Sequence, residues 1–201
     1  MRAIKNKQRK RELAAAIARG RELSKLGRDP EQALEFLEEA VREFPRSPDL
    51  RLLKAAVLLS LRPDDVIAEA VKAAELVPED PGTQVRAGHL LIGKGDVEGA
   101  RSCAARASEV AQPDFVLKSG LRSLKGRIAA REGKDDLAEE CLRLAMNEDP
   151  TYSNFAVNLA MFLAARYRQE EALEVIDAAL QIATDKNDLE QLRERITTLP
   201  P

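Results

Sequence analysis

Residues 88–107 read GHLLIGKGDVEGARSCAARA. An apolar helical stretch stops at Gly95, and a second opens near Val97 with Ala100, Ala104 and Ala107 on one face. Ala100 and Ala107 are seven residues, or about two helical turns, apart, so both face the same neighbour. The same pair of small residues recurs as Ala33/Ala40, Val66/Ala73, Ala138/Ala145 and Ala172/Ala179, with steps of 33, 34, 38 and 34 residues between first members. A period near 34 is the signature of a stacked array of one supersecondary unit rather than of a domain around a single core.

Each unit reads as two helices. Gly20, Gly88, Gly126 and Ala160 lie 12 or 13 residues before the small pair, inside the first helix. Glycine there costs about 1 kcal/mol against alanine, so its recurrence implies a close helix crossing. Gly27, Gly95 and Gly133 follow seven residues later and suit a C-terminal cap. Pro45, Pro78, Pro113 and Pro150 follow the first four second helices, where proline ends the helix. The spacing predicts helices over 4–26, 30–44, 48–61, 64–77, 82–94, 97–111, 114–132, 135–147, 152–166, 169–183 and 187–198, with Asp29 and the pair Asp64-Asp65 as N-cap regions. The last segment keeps Leu189, Leu192 and Ile196 on one face and charges on the other, the polar-backed cap that an array needs at an open end.

This pattern resembles the tetratricopeptide repeat (TPR). The third unit carries Gly88, Leu91, Gly95, Val97, Ala100, Ala104 and Ala107. The fifth carries Asn158-Leu159-Ala160, Leu163, Glu170-Glu171-Ala172-Leu173 and Ala179-Leu180. The resemblance covers roughly residues 13–184 and implies an all-α, right-handed α-solenoid of stacked antiparallel helix pairs with a C-terminal capping helix. The expected organisation is a basic extension over 1–12, five repeats over 13–46, 47–80, 81–114, 115–152 and 153–184, and a cap and tail over 185–201. Two units depart from the family pattern. The second has Lys54 at the glycine position and Leu61-Arg62-Pro63 at the turn; the fourth has Arg122 and Lys125 at apolar positions and follows the 38-residue step. Either its first helix is longer and starts near Asp114, or the stack bends there.

Composition agrees with a helical protein. Of 201 residues a third are charged, the net charge is −2, and only 3% are aromatic, with no Trp. No apolar run is long enough to span a bilayer, and the basic N-terminus lacks the uninterrupted apolar stretch of a secretion signal. Cys103 and Cys141 occupy matching places in successive units and read as buried free thiols in a reducing, cytoplasmic compartment. The chain has one histidine, His89, no phosphate-binding glycine loop and too few His and Cys for structural zinc. The expectation is therefore a non-enzymatic protein with no cofactor and no metal.

In TPR arrays the first helices line the concave face. Transferred through the glycine and small-residue register, that face takes Ile17, Arg21 and Lys25 from the first unit, and Arg51, Ala55 and Leu58 from the second. The third unit adds Val85, Arg86, His89 and Ile92, the fourth Ser123, Arg127 and Arg131, and the fifth Asn154, Val157, Asn158 and Met161. No carboxylate falls in this set, although the chain is slightly acidic. Arginine forks suit carboxylates and phosphates, and Asn158 matches the asparagine with which many peptide-binding TPR domains hold a peptide backbone. Arg51, Arg86 and Arg127 are expected to share one face.

The N-terminus is a second candidate surface. Residues 1–28 hold ten Lys or Arg against two Glu, a net +8 that leaves −10 for the rest. A basic arm can meet nucleic acid, an anionic membrane surface or an acidic partner, or can be a solvated extension. The leading expectation is a protein-interaction scaffold that binds an extended peptide or partner helix in its concave groove. One alternative is a nucleic-acid-associated helical-repeat protein of pentatricopeptide type, using the basic arm and arginine stripe. Another is a self-associating structural repeat protein, a homo-oligomer.

Overall fold

A computed structural model describes residues 2–26, 29–109 and 115–198, with the side chains of 2–5, 26 and 115 excepted. Gly27, Arg28, Pro113 and Asp114, and the side chains of Arg2 and Lys5, therefore lie outside the described residues. The described chain is all α, and every predicted segment is a helix. In order they are α1 (Arg2–Leu26), α2 (Pro30–Glu43), α3 (Pro48–Leu61), α4 (Val66–Leu76), α5 (Pro81–Gly93), α6 (Val97–Ser108), α7 (Phe115–Arg131), α8 (Asp135–Glu148), α9 (Ser153–Ala164), α10 (Gln169–Ile182) and α11 (Asn187–Thr197). The chain divides into two compact units, Met1–Glu109 and Val110–Pro201, and the division falls in the irregular 38-residue step. The extra length of that step appears in α7, a first helix of 17 residues.

Helix starts are set by local side chains. Asp29, Ser47, Asp80 and Asp96 accept hydrogen bonds from the backbone N–H of Gln32, Leu50, Thr83 and Gly99 at 2.9, 3.3, 2.7 and 2.9 Å. Each such cap contributes about 1 kcal/mol, and Pro30, Pro48 and Pro81 follow three of them at the first helical position. Asp64 and Asp65 do not cap. With Pro63 they form a single 3₁₀ turn leading into α4, and no side chain there bonds a free helix N–H.

In the first unit α1/α2, α3/α4 and α5/α6 pair, and α3 also packs on α1 and α5. In the second unit α7/α8 and α9/α10 pair, while α9 also meets α7 and α11. First helices are thus buried on two sides, by their own partner and by neighbouring first helices. The small pairs sit at the crossings: Ala33, Ala40, Val66, Ala73, Ala100, Ala107, Ala138, Ala145, Ala172 and Ala179 are all buried. The cap behaves as its pattern predicts. Leu189, Leu192 and Ile196 bury into the α9–α10 core, and Arg193 on α11 bonds Asp177 on α10 at 2.6 Å. Cys103 and Cys141 are free thiols, one buried and one half-buried.

Gly20 and Gly126 show why the first helices carry glycine. A Cβ at Gly20 would lie 2.8 Å from a methyl of Leu37, and one at Gly126 would lie 2.8 Å from Cγ of Leu142 and 3.2 Å from the Ala138 carbonyl oxygen. The second pair solves the crossing differently. Lys54 replaces the glycine, and its ammonium reaches Glu69 on α4 at 3.2 Å. In the fourth pair, Arg122 is accommodated by an ion pair with Glu148 at 3.0 Å.

Three first helices end in one hydrogen-bonded turn. Gly95, Gly133 and Tyr167 have φ of 83°, 74° and 60°. Each is followed by an N–H that reaches back to the last helical turn: Asp96 to Leu91, Lys134 to Ala129 and Arg168 to Leu163, at 2.9, 3.0 and 3.1 Å. Tyr167 occupies the left-handed position with a side chain, and it is 87% exposed, so no packing compensates the strain.

Two substitutions with opposite signs test these features by denaturant unfolding. Gly126→Ala should destabilise by roughly 1–3 kcal/mol through overpacking, despite alanine's better helix propensity. Tyr167→Gly should stabilise by about 0.5–1 kcal/mol by relieving the left-handed strain, less the entropy that glycine adds to the unfolded chain.

Candidate functional site

The exposed strip of the first helices is built separately in each unit. In the first unit it centres on Asp49, in the first turn of α3. Its Oδ1 accepts from Arg86 Nη2 on α5 at 2.9 Å and lies 3.8 Å from Arg21 Nη2 on α1. Three successive first helices are therefore bridged by one carboxylate. Arg21 and Arg86 remain about half exposed, so the bridges contribute only about 0–1 kcal/mol to stability. Their importance is chemical. Each guanidinium has five N–H donors, and one carboxylate cannot occupy those of two arginines. Lys25 is exposed one turn beyond Arg21, Ile17 is half-buried one turn before it, and His89 is half-buried on α5.

Arg51 does not belong to this strip. It points toward its own pair, where Nη1 bonds Glu69 at 2.8 Å and Nε and Nη2 bond the Pro45 carbonyl at 3.3 and 3.0 Å. Its side chain is only 15% exposed. Burial pushes the Glu69 carboxyl up, but hydrogen bonds from Arg51 and Lys54 outweigh it and hold the group below the usual carboxylate range. The expected single face through Arg51, Arg86 and Arg127 is therefore corrected at Arg51, which is an internal clamp. Leu58, Ile92, Val85 and Ala55 are corrected as well. They are buried core residues, because the helices beside them cover that flank.

In the second unit Asn158 Nδ2 on α9 donates to Ser123 Oγ on α7 at 3.0 Å. Ser123 is fully buried, so this bond fixes the amide plane at the seam between two first helices. Met161, one turn on, is 51% exposed, and Val157 is half-buried. Asn154 donates to the Tyr152 hydroxyl at 3.0 Å, and the Tyr152 ring stands edge-on to Phe155 with centroids 5.0 Å apart. Arg127 is partly buried; its burial and the nearby Arg131 charge hold its pKa below the ordinary arginine value. Arg131 itself is the last residue of α7 and is exposed.

The structure thus groups Arg21 with Arg86, Asn158 with Ser123, and Arg127 with Arg131. Asp49 is absent from the expected set, which holds no carboxylate. Its signal in the sequence is a first-turn acid two residues before Arg51, on the side of α3 that meets both neighbours. Among the described residues no cluster of His, Cys, Asp and Glu could hold a metal ion, and no helix is long and apolar enough to cross a membrane.

Antiparallel helix pairs, stacked first helix on first helix and closed by a polar-backed helix, define an all-α helical-repeat protein. The fold is that of the tetratricopeptide repeat. The chain is similar in structure to a thermophilic TPR protein from Thermus thermophilus, with a TM-score of 0.72 and 24% identity over 93% of this chain and all of the other. It is also similar to PilF from Pseudomonas aeruginosa, with a TM-score of 0.65 and 20% identity over 94% of this chain and 85% of that one. PilW, a type IV pilus biogenesis factor, superimposes with a TM-score of 0.64 and 17% identity over 92% and 86%. No protein-family model matches the sequence, and no curated protein matches it.

The Glu69 clamp has a pH signature. A carboxyl whose folded pKa is depressed contributes stability that is present above its unfolded pKa and is lost as pH falls through the folded value. Thermal unfolding followed from pH 7 downward should show stability falling below the ordinary glutamate pKa near 4.5. Glu69→Gln should lose roughly 3 kcal/mol at neutral pH, because two cations are left unpaired, and should flatten that part of the acid limb. Arg86→Ala should lose no more than about 1 kcal/mol.

Proposed function

We propose that the chain is a non-catalytic protein-interaction module that works in the cytoplasm and holds a partner on the exposed strip of its first helices. The observation that carries this reading is the sharing of Asp49 between Arg21 and Arg86. It leaves two half-exposed guanidiniums with spare donors on the helices flanking α3, the Arg86 one held by a hydrogen bond. A carboxylate of an extended peptide or partner helix can take those donors in a forked, charge-assisted geometry. In the second unit, Asn158 offers a backbone-directed amide held by Ser123, and Met161 offers an adaptable apolar contact. Buried aliphatic residues of the first helices support the strip from below and do not touch the partner.

The proposed domain organisation is five helix pairs and a cap, with the basic start of α1 outside the repeat. This function assigns no cofactor and no metal. Lys25 and His89 in the first unit, and Arg131 beside Arg127 in the second, would tune partner choice and association rate more than residence time.

The reading is tested with a partner obtained by affinity capture and confirmed by titration of purified components. Arg21→Glu with Arg86→Glu should weaken binding at least about tenfold, while Arg51→Lys, which keeps the internal charge, should leave it unchanged. Equal affinity of the double reversal and the native chain would remove this strip from the partner's footprint.

A further inference from the structure

We infer that a second, separate binding site for an acidic peptide lies where the start of α1 crosses the α2–α3 turn. An open groove of about 490 Å³ is lined there by Asn6, Arg9, Lys10, Leu13, Phe44, Pro45, Arg46 and Ser47. That volume lies within the roughly 300–1,000 Å³ of ordinary ligand pockets. Leu13 and Pro45 form its apolar part, with the Phe44 ring behind Arg9. The charged lining residues are three cations with no carboxylate, in a chain that is net acidic.

Two features separate this groove from an ordinary solvated basic face. Arg9 is held in place: its guanidinium stacks over the Phe44 ring at 5.6 Å, and its Nη2 donates to the Glu43 carbonyl at 3.2 Å. Lys10 and Arg46, by contrast, are exposed, and neither makes an ion pair or hydrogen bond among the described residues. One cation is ordered against the apolar wall, and two stand ready on the rim. This arrangement fits a segment in which carboxylates alternate with aliphatic side chains.

Nucleic acid fits less well. Base stacking needs an accessible aromatic face, and the Phe44 ring is buried and already covered by Arg9. The groove is also distinct from the Asp49 strip. The two adjoin at the start of α3 but use different cations: Arg9, Lys10 and Arg46 line the groove, and Arg21 and Arg86 meet Asp49.

The experiment uses the full chain and fluorescence anisotropy. The probe is a short fluorescein-labelled peptide of alternating glutamate and leucine. Its competitors are the same peptide with serine in place of leucine, and an oligothymidylate of equal charge. The glutamate–leucine probe should bind saturably and outcompete both. Lys10→Glu with Arg46→Glu should weaken it at least about tenfold without changing the circular dichroism spectrum, since both side chains are exposed. Arg21→Glu with Arg86→Glu should leave it unchanged, so failure of this site and failure of the Asp49 strip are told apart. The inference is overturned if the probe does not bind, if the Lys10/Arg46 reversal leaves its affinity intact, or if oligothymidylate competes as strongly as the peptide.

Discussion

Everything in this fold depends on how closely two helices of a pair can approach. A second helix presents two small residues seven positions apart, and the first helix must meet them with something that leaves room. Gly20 and Gly126 do so by having no Cβ, as the 2.8 Å approaches to Leu37 and Leu142 show. Once the pair is close, its remaining apolar flanks form a surface that only another pair, or a polar-backed helix such as α11, can cover. Stacking is therefore a consequence of the crossing and not an independent property of the sequence.

The second pair shows that the constraint is geometric and not tied to glycine. Lys54 occupies the crossing because its long side chain runs across to α4 and ends on Glu69, which also receives Arg51. An ion pair with side chains only 11–15% exposed is a weak source of net stability, since desolvation offsets the attraction. It is a strong source of specificity, because either partner alone would be an uncompensated charge. A similar arrangement links the second helices of the other unit. There Arg168 bonds Glu139 and Glu171, and with Arg143 it pulls the Glu139 carboxyl down to about 2.

The helices are legible because period, small pair and proline all point to the same boundaries, and local capping chemistry agrees with them. The Asp29 cap is readable from its place before Pro30. Asp64 and Asp65 look equivalent but follow a proline that starts a 3₁₀ turn, so the first full helical turn begins after them. The candidate site is less legible for one physical reason. Helical periodicity locates the face turned away from the partner helix, but a first helix in an array has a second buried flank against its neighbours. Leu58 and Ile92 lie on that flank and Arg86 lies just beyond it, although the repeat register assigns all three to one surface. Arg51 is hidden differently: its rotamer is set by Glu69, 18 residues away on another helix, and no local pattern carries that information.

The surviving strip differs in kind from the basic stripe expected. A row of arginines alone would repel itself and would bind any anion. Asp49 hydrogen-bonds Arg86 and lies 3.8 Å from Arg21, so it neutralises part of that charge. On the proposed reading, the selectivity of such a strip would rest on geometry, because a partner would have to offer its carboxylate where Asp49 leaves donors unfilled.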